Sequence, residues 1–165
     1  MQEKWFSTKK IARAGIIASL YIATSFVTAP IASGAIQIRL SEALTLLCLI
    51  FPESVLAVFI GCVFSNLITG CAPYDIIFGS AITLMAGLCT YTVGKIIKNK
   101  IFSIIIGGLF PVLLNAFLLP LVWLFCYGTG EYVYFLQVVF LIVGQAIAVY
   151  GLGIPLLLAI KKRQE

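Results

Sequence analysis

In Ile36-Gln-Ile-Arg-Leu-Ser-Glu-Ala-Leu44, an arginine and a glutamate three residues apart interrupt two strongly apolar stretches. At that spacing Arg39 and Glu42 can share a helix face and partly neutralise each other. A charge within a membrane span costs about 2.5–3.5 kcal/mol at mid-bilayer and less toward the interface. The pair therefore reads in two ways: as an interfacial ion pair ending a helix, or as part of a polar binding site. Asp75 heads a stripe of small and polar residues at helical spacing, Gly79, Thr83, Ala86/Gly87, Thr90 and Gly94. The inner part of that stripe reads as helix packing, because small residues let helices approach closely. Asp75 itself either caps its own helix or faces a polar cavity.

Four amides extend the polar set: Asn66, Asn115, Gln137 and Gln145. Each alone has the ordinary reading of an interhelical hydrogen bond, worth about 0.6 kcal/mol on average. Asn115 lies between Pro111 and Pro120, and prolines inside a span free carbonyls that something else must satisfy. The acids Glu42, Asp75 and Glu131 fall toward the same end of the chain's weave as the aromatics Trp123, Phe125, Tyr127, Tyr132, Tyr134 and Phe135. An aromatic belt explains some of these without function. A polar set lined by aromatics is also what a planar, hydrogen-bonding solute needs.

The elements that must carry these residues are membrane spans. The chain has 165 residues, 62% hydrophobic and 10% charged, with a mean hydropathy of +1.13. Soluble domains have about 45–50% apolar and about 25% charged residues. The expectation is a single integral membrane domain over residues 1–165, all α-helical. No cleavage pattern follows the basic N-terminus. Spans are expected over about Ile11–Ser33, Ile36–Phe51, Glu53–Thr69, Tyr74–Lys98, Ile101–Phe125 and Tyr132–Ile160, the second of them short for the roughly 20 residues a crossing needs. Pro52-Glu53 suits the first turn of the third helix. Of the 11 lysines and arginines, all but Arg39 fall on one side of this six-helix weave. That bias predicts cytoplasmic termini and explains the net charge of +5 without nucleic acid.

Several chemistries are excluded. Histidine is absent, so no Ser/His/Asp or Cys/His catalytic set exists. The five cysteines are scattered without a C-x-x-C pair, which removes most zinc, haem and redox-motif readings. A Cys71–Cys126 disulfide at the outer side is conceivable. There is no phosphate-binding G-x-x-x-x-G-K-[ST] loop. No metal or cofactor is expected. In the first helix, Ala14/Ala18 and Gly15/Ser19 are small-x-x-x-small pairs, suited either to packing within the bundle or to docking another membrane protein.

The succession of small pairs in helix one, Arg39-Leu-Ser-Glu-Ala-Leu-Thr45, Phe51-Pro-Glu53, Asn66-Leu67, Asp75-Ile-Ile-Phe-Gly-Ser80 and a helix with Asn115 resembles the QueT-type substrate-binding subunits, or S-components, of energy-coupling factor transporters. The resemblance spans almost the whole chain. It implies a six-helix bundle in the cell membrane that binds a queuosine precursor from outside, a 7-deazaguanine such as preQ0, preQ1 or queuine. It also implies a scaffold membrane subunit and two cytoplasmic ATPases as partners, the scaffold contacting Ala14, Gly15, Ala18 and Ser19.

On this reading Glu42 or Asp75 accepts paired N–H groups of the base. Asn66, Asn115 or Gln137 reads its carbonyl and ring edges, and Arg39 holds the carboxylate ionised and oriented. Trp123 or Tyr127 stacks on the ring, and Glu131 pairs with an amine of the cargo. The competing readings are an S-component for another vitamin, an accessory membrane subunit that binds no solute, and a small membrane enzyme, which the missing catalytic sets disfavour.

Overall fold

The computed structural model describes residues 7–32, 38–128 and 131–163. The ends expected at Ser33 and Ile36 lie outside them. Among the described residues the chain is all-helical, with no strand. Helix α1 covers Thr8–Ala32, a 3-10 helix Leu40–Leu49, and α2 Glu53–Ile68. A π turn, Asp75–Gly79, runs into α3, Ser80–Ile96, and α4 covers Lys100–Tyr127. Helix α5, Glu131–Ala146, continues through a π segment, Ile147–Gly153, into α6, Ile154–Lys162. Laid end to end these form the six expected rods. Four stretches are long and apolar enough to cross a membrane: Thr8–Pro30, Asp75–Ile96, Lys100–Tyr127 and Val133–Lys162. The second and third rods are shorter.

The second rod departs from the expectation of an α-helix. At about 2.0 Å rise per residue, ten residues of 3-10 helix reach about 20 Å, against about 15 Å for an α-helix. The Thr45 hydroxyl donates to the Glu42 carbonyl three residues back, at 2.6 Å, a local bond that suits the tighter coil. Every residue from Ser41 to Cys48 is buried. The sequence explains this: apart from Ser41, Glu42 and Thr45 the segment is apolar all round, and such a helix is stable only when enclosed. It packs against α1, α2, α3, α4, α6 and the Ile147–Gly153 segment, and is the central strut of the bundle. A side chain at Gly153 would put its Cβ 2.8 Å from Leu46 and 2.9 Å from the Ala43 carbonyl, so only glycine admits the π segment this close.

Around the strut, Tyr21, Leu44, Leu47, Cys48, Val55, Val58, Cys62 and Leu157 form one core cluster. A second lies between α3, α4 and α5, with Ile82, Ala116, Leu119, Trp123 and Leu141. In lipid these contacts act through packing rather than exclusion of water. In α4, Asn99 caps the start by accepting from the N–H groups of Ile101 and Phe102. Pro111 cannot donate to Gly107 one turn back, and the Thr90 hydroxyl of α3 donates to that Gly107 carbonyl instead, at 2.8 Å. The inner small and polar stripe of α3 thus does pack, as its composition suggested, and it also satisfies a proline-freed carbonyl.

At the end predicted to be cytoplasmic, Arg13 donates to Glu53 at 2.8 Å and stacks over the Phe51 ring, 3.9 Å from its centroid. This ties α1 to the start of α2. The two small pairs of α1 separate. Ala14 and Ala18 pack against the core cluster, and a Cβ at Gly61 of α2 would lie 3.2 Å from the Ala18 carbonyl and 2.7 Å from Tyr21. Gly15 and Ser19 are exposed.

Candidate functional site

The central strut carries an ionisable group where none is tolerated without partners. Glu42 is fully buried. Tyr21 of α1 donates to its Oε1 at 2.7 Å, and the Thr83 hydroxyl of α3 lies 3.2 Å from the same oxygen. Thr83 also lies 3.1 Å from the Gly79 carbonyl one turn back, so its proton is shared. Asn115 of α4, likewise fully buried, lies against the same carboxylate. Its Nδ2 donates to the Pro111 carbonyl at 2.9 Å, which leaves Asn115 Oδ1 without a partner. Glu42 Oε2 has none either. Three helices and the strut thus converge on one carboxylate, hold one oxygen, and leave the other free.

Arg39 does not pair with Glu42 as the three-residue spacing suggested. It stands ahead of the first residue of the 3-10 helix with φ −90° and ψ 87°, outside the helical region, so the helical spacing rule does not apply to it. Among the described residues no ion pair within 4.0 Å joins the two, although each remains within electrostatic reach of the other. Arg39 instead lines a cavity of about 80 Å³ beside Tyr21, Ser25, Thr28, Ser41, Ser65, Asn66 and Thr69. Hydroxyl- and amide-bearing side chains line it together with Ala29 and Cys71, so polar groups are set in partly apolar walls.

Asn66 joins this cavity to a third group. Its Nδ2 lies 3.3 Å from the Asp75 carbonyl, and the Asp75 carboxylate accepts from the Trp123 indole at 2.7 Å. Tyr127 packs edge-on to Tyr74, with centroids 5.9 Å apart. The Trp123 ring is buried within the α3–α4–α5 core cluster, which is an anchoring position rather than a free stacking face. Asp75 therefore does not cap its own helix; it bridges the π turn to α4.

The structure brings Glu42, Asn115, Arg39, Asn66, Asp75, Trp123 and Tyr127 into adjoining groups. Gln137 on α5 has a buried Oε1 without a partner and is not among the side chains hydrogen-bonded within these groups. The side chain of Glu131 lies outside the described residues. Tyr21 was missed by the sequence reading, because a tyrosine in an apolar first helix gives no signal until its hydroxyl is seen to meet a carboxylate 21 residues away. All five cysteines are free thiols; Cys71 lies 3.4 Å from the Thr69 hydroxyl instead. No group of three or more metal-ligating side chains occurs among the described residues.

A second, apolar groove of about 280 Å³ runs between α1 and α6 at the opposite end, lined by Ile16, Leu20, Phe51, Leu156 and Ile160.

Compared with known proteins, residues 11–162 match the model of a family described as QueT transporter. No curated protein and no solved structure gives a match.

Proposed function

The chain belongs to the QueT transporter family, whose members are membrane transporters and not enzymes, and from that premise we propose that it is the substrate-binding subunit of an energy-coupling factor importer for queuosine precursors. The solutes are 7-deazaguanines such as preQ0, preQ1 or queuine. The observation that carries this reading is the buried Glu42 carboxylate, with Oε1 held by Tyr21 and Thr83 and Oε2 left without a partner. A free, oriented carboxylate oxygen in a low-dielectric interior suits the N–H edge of an aminopyrimidinone ring. Asn115 Oδ1, likewise buried without a partner, supplies a second acceptor. Arg39, Asn66 and the hydroxyl-lined cavity form the outer approach to this carboxylate, and Tyr127 with Tyr74 supplies aromatic surface at the rim. Asp75 and Trp123 hold that rim together, and Gln137 and Glu131 complete the outer set.

In this reading the six rods form one domain of a multi-pass protein in the cell membrane, with both termini cytoplasmic. The scaffold subunit docks along the exposed Gly15 and Ser19 and the neighbouring α1–α6 groove, while Ala14 and Ala18 support that strip from within the bundle. The two ATPases bind the scaffold. Native mass spectrometry of the purified chain, followed by calorimetric titration with preQ1, tests the assignment. A copurified deazapurine or saturable binding supports it. Binding of a different vitamin and no deazaguanine replaces the cargo, and binding of no solute leaves an accessory subunit.

A further inference from the structure

Gln145 is the largest amide in the interior that nothing holds. It is fully buried, and neither its Oε1 nor its Nε2 has a hydrogen-bond partner. A structural interhelical clip would have one, since buried polar groups are hydrogen-bonded in the great majority of cases. Its neighbours on α5 and the π segment fix where it faces. Leu141, four residues earlier, packs on Ala116 and Leu119 of α4. Val149, four residues later, packs on Val112 of α4 and Leu46 of the strut. Ile142 touches both clusters. Leu141 shares the α5 face of Gln145, and Gln145 is itself fully buried, so it faces inward at a height between Val112 and Leu119, the height of Asn115.

Resting on the reading of Glu42 as the group that recognises the base, we propose that Gln145 is a specificity-determining residue of the same site, whose Nε2–H donates to the ring carbonyl of the solute. The donor count leads to this. Glu42 Oε2 and Asn115 Oδ1 are both acceptors, and they suit N–H groups only. A lactam ring presents a carbonyl beside its N–H and needs a donor there. The Tyr21 hydroxyl is engaged on Glu42 Oε1, the Thr83 hydroxyl is shared between that oxygen and Gly79, and Asn115 Nδ2 is engaged on Pro111. Gln145 Nε2 is the unengaged amide donor facing inward at this level. The rival donor is Arg39, in the cavity that Tyr21 and Ser41 also line.

The test is calorimetric titration of the purified chain with 7-deazaguanine and with its 6-thioxo analogue, in which a weakly accepting sulfur replaces the carbonyl oxygen while the ring N–H and the amino group are kept. The wild type is expected to prefer 7-deazaguanine. Gln145→Met keeps the volume and removes the donor. It is expected to weaken 7-deazaguanine binding about 10–100-fold, to collapse the preference between the two bases, and to leave the melting temperature of the ligand-free protein unchanged or higher, because replacing an unpartnered buried amide by an apolar group is close to neutral or stabilising. Gln145→Glu puts an acceptor where the donor stood and is expected to weaken both bases without restoring the preference.

A lowered melting temperature in Gln145→Met with the preference intact makes Gln145 a packing clip and overturns the proposal. So does a preference that survives both Gln145 variants but collapses in Arg39→Met. If Glu42→Gln abolishes binding while the Gln145 variants keep wild-type affinity and preference, this inference falls and the function proposed above stands. A wild type that binds neither base removes both.

Discussion

At the scale of single residues, the two central acids are not equivalent. Glu42 has one oxygen without a partner in the interior, whereas Asp75 is bonded to the Trp123 indole at the rim. Glu42→Gln keeps the shape but removes the charge and one acceptor. It is expected to weaken preQ1 binding about 10–150-fold, the equivalent of about 1.5–3 kcal/mol for a hydrogen bond to a charged group. Asp75→Asn retains an acceptor for the indole and is expected to change affinity less than about fivefold, under one tenfold step. Calorimetry on both purified variants checks the contrast, and equal losses would remove it. The sequence singled out both acids from their rarity in an apolar chain. It could not rank them, because the ranking rests on partners 21 and 41 residues from Glu42 and 48 from Asp75. For Arg39, local spacing pointed the wrong way: the three-residue rule presumes that both residues are helical, and Arg39 precedes the first helical residue.

At the scale of elements, apolar length and charge sufficed to place six rods, while their internal geometry was hidden. Nothing in Leu40–Leu49 distinguishes a 3-10 coil from an α-helix locally; enclosure on all sides decides it. The continuous apolar run from Val133 to Lys162 likewise conceals a π segment, set by close approach to Leu46 at Gly153. The prolines of α4 were more legible, and their consequence is measurable. Thr90→Val should leave the Gly107 carbonyl without its donor and lower stability by about 0.6–1.7 kcal/mol, the range for such bonds in membrane bundles. In a Pro111→Ala background the backbone N–H returns, and the same Thr90→Val change should cost less. Thermal unfolding in detergent, arranged as a double-mutant cycle, reads the coupling. Strict additivity would show that Thr90 does not serve the proline.

At the scale of the whole molecule, the proposed solute site and the proposed docking strip occupy different faces. The central carboxylate is enclosed by the bundle, while Gly15 and Ser19 lie on the outside of α1, and a Cβ at Gly15 meets nothing within 4 Å. Gly15→Trp is therefore expected to leave preQ1 affinity of the isolated chain within twofold. It should reduce copurification with a scaffold subunit and energised uptake by at least tenfold, because close helix approach depends on small side chains. Ala18→Trp is expected to behave differently and to destabilise the isolated chain, since Ala18 backs onto Gly61. Wild-type uptake by Gly15→Trp would move the docking face elsewhere. The small pairs were visible in the sequence, but which pair faced outward depended on how α2 crosses α1.

The 2.7 Å bond between the Trp123 indole and Asp75 also makes the protein its own optical probe. The chain holds two tryptophans, and Trp5→Phe leaves the buried one as the single tryptophan emitter, excited selectively at wavelengths that tyrosine does not absorb. Its N–H is fixed to a carboxylate on the π turn, so any motion of that turn relative to α4 alters the electric field at the fluorophore. Titration with preQ1 should then shift the emission maximum in the Trp5→Phe protein, and the same shift should vanish in Trp5→Phe with Asp75→Ala. A time-resolved version would report how quickly the rim rearranges in a single mixing experiment, without a label.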